Sequence, residues 1–238
     1  IERLDAFSDN GGQMMIIAQP GKDIPSALSG YMADWGITVN NDYVIETDND
    51  YIIKSSFGAI QTSVLVEIDI TNSLISQKLS YVTPASRSIT VKENNVYHTT
   101  IMPLLESSKK SFARVDLTNK SSEKTDGDTD GPFTVSAIAT KSNENNRSRM
   151  FVLGSLYSVE MDGILKSSSY ANGDFLLNTV SYMTDNAGSL DIHAKQITPD
   201  MLKISQSGAT LVTILILFVL PIVIIGIGIF VWWRRRYL

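Results

Sequence analysis

Three aspartates alternate in the run Asp126-Gly127-Asp128-Thr129-Asp130-Gly131, and carboxylates at that spacing before a turning glycine begin a calcium loop. Oxygen ligands so spaced wrap a hard cation. The twelfth position, where such a loop supplies a bidentate glutamate, is Ala137, and Pro132-Phe133 leads directly into strand-forming residues. The run therefore reads first as a solvated acidic loop, with Asp126, Asp128 and Asp130 as the remaining metal candidates. Only two histidines are available, His98 and His193. His98 sits in V-Y-H-T-T, a strand pattern that makes it structural or exposed. His193 shares a strand face with Asp191. That pair would need a nucleophile at a G-x-S-x-G elbow, and Gly154-Ser155 imitates only its start. The absence of cysteine removes thiol nucleophiles, disulfides and thiolate metal sites. No G-x-x-x-x-G-K-[ST] is present, so nucleotide hydrolysis would belong to another chain. These residues predict no enzyme and no cofactor. The sequons at Asn119 and Asn146 are short matches without weight.

The elements that position these groups follow from periodicity and punctuation. Ile1, Leu4 and Phe7 are at helical spacing, with Asn10-Gly11-Gly12 as the stop. Met14 to Ala18 is a short apolar run expected to be a buried strand. Asp23 is the expected cap of a helix with Pro25 in its first turn, running through Leu28, Tyr31, Met32 and Trp35 to Gly36. Strand-like pieces follow at 37–39 and 43–46, then at 64–68, 89–92 and 96–101. Residues 119–131 read as a mobile polar surface loop. Strands at 133–139 and 150–153, a helix at 174–183 opened by Asn172 or Asp174, a strand at 190–193 and a helix from Thr198-Pro199-Asp200 complete the order. Helix and strand alternate at the start in the doubly wound α/β rhythm, with a more β-rich middle.

From Gly208 to Trp233 there is no charged residue. Taken over 209–233, the tract makes a helix of roughly 37 Å, longer than the ~30 Å hydrocarbon core of a bilayer. Pro221 near its centre removes a backbone hydrogen bond and predicts a kink. Arg234, Arg235 and Arg236 follow at once, which by the positive-inside rule places the C-terminus in the cytoplasm. Trp232 and Trp233 then lie at the inner interface, where an indole buries its body and wets its N–H. The 238 residues carry 20 basic and 25 acidic side chains. Without the three arginines, 17 basic against 25 acidic residues leave the outer part at −8. Such a balance excludes a nucleic-acid surface, which needs a basic stripe. An outward-facing domain must be exported, so a signal or a first membrane helix is expected ahead of Ile1.

Several stretches together carry a family resemblance: L-D-A-F-S-D-N-G-G-Q-M-M-I-I-A-Q-P-G (4–21), Y-M-A-D-W-G-I-T-V-N-N-D-Y-V-I-E (31–46) and L-S-Y-V-T-P-A-S-R-S-I (79–89). They are followed by G-P-F-T-V-S-A-I-A (131–139), R-M-F-V-L-G-S-L (149–156), N-G-D-F-L-L-N-T-V-S-Y-M (172–183) and the closing W-W-R-R-R. In order and spacing the chain resembles the outer domain of the GldG-like auxiliary subunits of ABC-type transporters, first named in gliding motility. The resemblance implies a bacterial protein and a flavodoxin-like or class I glutamine amidotransferase-like three-layer α/β domain with a β-rich insertion. It also implies likeness to a domain of an intraflagellar transport protein. It places a strand-end site at Gln19, Pro20, Gly154 and Ser155, where the family carries an aspartate before the proline and often G-D-S. This chain has neither acidic group.

The resulting expectation is an extracytoplasmic domain over 1–197, a juxtamembrane linker or helix start at 198–208, a membrane helix at 209–233 and a basic tail at 234–238. The resemblance implies a non-catalytic auxiliary subunit whose partners are the bilayer and the ABC permease and ATPase subunits. The alternatives are an extracytoplasmic receptor binding a ligand at its strand ends, or a degenerate hydrolase or amidotransferase.

Overall fold

The computed structural model describes residues 1–55, 58–119, 121–143, 146–185 and 215–236. Two compact units divide the chain, Ile1–Ala194 and Lys195–Leu238. The first is a mixed α/β unit. Helix α1 (Glu2–Asp9) leads to strand β1 (Met14–Ile17), then α2 (Ser26–Asp34), β2 (Ile37–Val39) and β3 (Tyr43–Ile45). The β-rich middle comprises β4 (Ile52–Ser55), β5 (Gly58–Leu65), a short helix α3 (Asn72–Ser76), β6 (Tyr81–Val82), β7 (Ile89–Val91) and β8 (Thr100–Glu106). Next come β9 (Phe112–Arg114), β10 (Thr129–Asp130), β11 (Thr134–Ser142) and β12 (Arg147–Leu153), then α4 (Tyr157–Glu160), α5 (Asp162–Leu165) and α6 (Asn172–Met183).

A nine-stranded sheet runs β1-β12-β11-β8-β5-β4, with β2, β6 and β7 joined off that path. Strands β10, β9 and β3 form a separate three-stranded sheet. Among the named strands one pair is parallel, β1 with β12, Met14 opposite Met150 through Ile17 opposite Leu153. Other named strands pair antiparallel, and β2 joins β7 rather than β1. Only three residues separate β2 from β3. With antiparallel partners on both, no helical crossover is needed there.

Alternation along β11 and β12 sends side chains to two cores. Met150 and Val152 pack with Trp35, Tyr31, Met32 and Ala137 on the face covered by α1 and α2. Phe151 and Leu153 pack with Val135, Ile138, Leu74 and Phe175 on the face covered by α3 and α6. A strand buried on both faces carries the nearly continuous apolar run Met150–Leu153.

Several sequence expectations shift. Pro25, not Asp23, is the N-cap of α2, and no side chain caps it. α6 starts at Asn172 after Ala171, and Asn172 instead ties the helix to β6, accepting from the Val82 amide at 2.9 Å and donating to its carbonyl at 2.8 Å. Residues 96–98 form a turn rather than a strand, because Asn95 folds the chain back: its side chain accepts from the Thr99 amide at 3.0 Å. His98 lies on that turn at φ +50°, exposed. His193, Asp191, the strand at 190–193, the linker at 198–208 and residues 209–214 of the apolar tract lie outside the described residues.

In the second unit a π-helical turn, Leu215–Val219, runs into α7 (Leu220–Arg236). The π turn sits directly ahead of Pro221, where the missing N–H breaks the regular ladder. Together they make one helix of 22 residues, long and apolar enough to cross a membrane. It carries Trp232, Trp233, Arg234, Arg235 and Arg236 in its last turns, with the Arg236 guanidinium 5.3 Å from the centre of the Trp232 ring.

Candidate functional site

The parallel pairing of β1 with β12 brings the strand-end residues together. The ladder continues past both strands, the Ala18 amide donating to the Leu153 carbonyl at 2.8 Å and the Leu156 amide to the Ala18 carbonyl at 3.0 Å. Gln19-Pro20 and Gly154-Ser155 therefore leave the sheet side by side, at the carboxyl ends where open α/β sheets bind ligands.

That end is filled by the chain itself. Segment 83–88 crosses it, and the Arg87 amide donates to the Gly154 carbonyl at 3.0 Å. Gly154 is closed in by the carbonyls of Arg87 and Val135 and by Ser86 Oγ, so a side chain there has no space. Ser155 is fully buried, and its Oγ donates to the Pro84 carbonyl at 2.5 Å. With a carbonyl rather than a base as its partner, this hydroxyl is not activated as a nucleophile. Ala85, between Pro84 and Ser86, is left-handed at φ +47°, a conformation that costs a non-glycine residue about 1–3 kcal/mol and needs surrounding structure to hold it. Pro20 is buried and Gln19 exposed, so of the four expected residues only Gln19 presents its side chain to solvent.

The sequence reading missed the most unusual group at this end, Arg87. It is 3% exposed. Its Nε donates to the Asn40 carbonyl at 2.6 Å and its Nη1 to the Lys22 carbonyl at 2.8 Å, tying the β1–α2 loop to the end of β2. Burial lowers its pKa, while Asp42, Asp23 and Tyr43 act the other way. Asp42 is itself held by Ser88, accepting from its amide at 2.8 Å and its hydroxyl at 2.5 Å. Nothing in the local sequence marks Arg87: its partners Asn40 and Lys22 lie 47 and 65 positions away in the chain.

The acidic loop has a different content from the expected one. Arg114 on β9, 1% exposed, is its centre. The Arg114 Nη2 lies 2.8 Å from Asp128 Oδ2, and Nε lies 3.3 Å from each oxygen of that carboxylate. Nη2 also donates to the Glu123 carbonyl at 2.6 Å, and Nη1 to the carbonyls of Asn119 at 3.4 Å and Ser121. The Thr125 amide completes the set on Asp128 at 2.8 Å. Hydrogen bonds from Arg114 push the Asp128 carboxyl down to about 2. Asp130 pairs with Lys124 at 2.6 Å, and Asp126 is exposed. The loop expected to be mobile is thus tied to a buried guanidinium, and the middle carboxylate of the calcium pattern is committed to that cation. Among the described residues no group of three histidine, aspartate or glutamate side chains is placed to hold a metal ion.

No protein-family model matches the chain, and no curated protein matches it. Among solved structures the mmIFT52 N-terminal domain is similar at a TM-score of 0.49 and 18% sequence identity, covering 81% of this chain and 72% of that one.

Proposed function

We propose that the chain is a non-catalytic, membrane-anchored auxiliary subunit of an ABC-type transporter, whose outer domain binds a partner or cargo while the apolar helix packs against the permease. The observation that carries the non-catalytic part is the filled strand end: Ser155 is sealed and bonded to a carbonyl, and Gly154 is walled in. The transporter assignment rests on the family resemblance, as does a flavodoxin-like ancestry for the α/β unit. In this reading the three arginines after Trp233 hold the C-terminus in the cytoplasm, and the acidic bulk of the chain faces outward.

Purification of the tagged protein in mild detergent tests it. The expected result is co-recovery of an ABC permease and its ATPase chain in fixed proportion. Recovery of the protein with neither would overturn the assignment. Added protease on intact cells should clip the outer unit and leave the basic tail protected.

A further inference from the structure

Arg87 stands out among the charged groups of the first unit. A guanidinium carries five N–H donors, and among the described residues only two of Arg87's are used, on the carbonyls of Asn40 and Lys22. Its Nη2 has no acceptor among the described residues. It is also not one of the sealed unpaired atoms, which are Trp35 Nε1, Tyr81 OH, Arg149 Nε and Ser158 Oγ. Among the described residues no carboxylate bonds to it either. The acid whose charge bears on it most, Asp42, is turned to Ser88. A nearly buried guanidinium held by two carbonyl dipoles has no bonded anion, and Asp42 and Asp23 act on it only at a distance.

The Nη2 nitrogen, unpaired yet not sealed, meets solvent. Gly21 at φ +66° turns the exposed loop after β1, and that loop opens α2, whose first-turn amides have no side-chain cap. A helix start of this kind adds a favourable potential for an anion. We propose that Arg87, reached through the 19–25 loop at the carboxyl ends of β1 and β12, is the binding site for a single carboxylate, such as an acidic side chain or chain terminus. Phosphate is the poorer fit. One guanidinium offers one positive charge, and a dianion there would also face the negative charges of Asp23 and Asp42. A planar carboxylate matches the fork and needs only one charge. The inference is independent of the transporter assignment, since the site exists whatever complex the chain joins.

The test is an NMR titration of the full chain in detergent, labelled with nitrogen-15 at arginine. Sodium acetate is added at constant ionic strength against chloride, and inorganic phosphate is titrated separately. The Arg87 Nε resonance, assigned through cross-peaks to Asn40 and Lys22, should move saturably with acetate and less with phosphate. Arg87→Lys keeps the charge and loses the fork, so acetate binding to that variant should weaken by roughly tenfold or more. A linear, unsaturable shift would overturn the proposal, as would tighter binding of phosphate than of acetate, or unchanged acetate binding in Arg87→Lys. The wild-type curve decides by itself if the variant fails to fold.

Discussion

Two regions of the first unit each bury an arginine, and they solve the same electrostatic problem in opposite ways. Around Arg114 the chain supplies everything: a carboxylate from Asp128 and carbonyls from Asn119, Ser121 and Glu123, all drawn from one loop. Around Arg87 the described residues supply two carbonyls and no bonded carboxylate. Both arginines are nearly sealed, at 1% and 3% exposure. The difference is therefore one of completeness rather than depth. A completed site is structure, because removing any part of it costs stability and gains nothing. An incomplete site at a strand end has capacity left over for a partner.

The sharpest way to break this contrast is to delete each arginine in turn. Arg114→Ala removes the centre of the 116–130 loop and strands Asp128 among carbonyls, the arrangement that costs most when half of a buried pair is lost. Cleavage within the loop by a limiting protease should accelerate by at least roughly tenfold, since opening becomes local and frequent. Arg87→Ala should do so far less, because two tethers are lost and no carboxylate is left unpaired. Equal effects from the two changes would erase the distinction.

Packing against Arg87 gives the next effect. A methyl at residue 154 meets the carbonyls of Val135, which accepts from the Gly154 amide at 2.8 Å, and of Arg87, which accepts from the Ser86 hydroxyl at 3.3 Å. Gly154→Ala should destabilise by about 1–3 kcal/mol, read from chemical denaturation of the outer unit. A neutral result would mean that segment 83–88 shifts easily and that the strand end is not filled rigidly.

A pH series separates the two regions without mutation. Asp128 has a folded pKa of about 2 against an ordinary 3.8. The sign follows from the direction of that shift. A lowered folded pKa contributes stability that is present above the unfolded value and is lost as pH falls through the folded one. Pepsin cleavage within the loop should therefore rise as the pH is taken from about 4 to about 2. Arg87 has no bonded carboxylate to titrate, so the strand end should show no matching change. Loop cleavage that stays flat across that window would mean that Asp128 does not hold the loop.

How much of this was legible in the sequence depends on what kind of residue carries each feature. Met14–Ile17, Ile37–Val39 and the Asn172–Met183 helix could be read because apolar spacing and glycine punctuation act locally. Neighbourhood at the strand end, with Gln19-Pro20 beside Gly154-Ser155, also emerged, because strand ends are where such residues must leave the sheet. What closes that end did not. The 83–88 segment reaches Ser155 across 71 positions of sequence, and no local pattern encodes such a contact. Arg114 was hidden for a related reason. Local spacing gives D-G-D-T-D-G only the start of a cation loop within a solvated run, and the cation its middle carboxylate holds is a guanidinium on the preceding strand, 14 residues earlier.

The smallest prediction concerns Ser155, the residue whose placement most resembles a nucleophile. If its hydroxyl only satisfies the Pro84 carbonyl, then Ser155→Ala removes one neutral hydrogen bond and leaves one acceptor short of a partner, at about 1 kcal/mol. That carbonyl precedes Ala85, whose left-handed backbone depends on its neighbours for support, so the loss should appear as a modest drop in denaturation midpoint with unchanged cooperativity. Acetate binding at Arg87 should persist, because neither of the two carbonyls that hold the guanidinium belongs to Ser155 or Pro84. A Ser155→Ala chain that keeps its stability but loses acetate binding would move the functional centre from the arginine to the serine. It would turn the filled end of the sheet from a wall into part of the site.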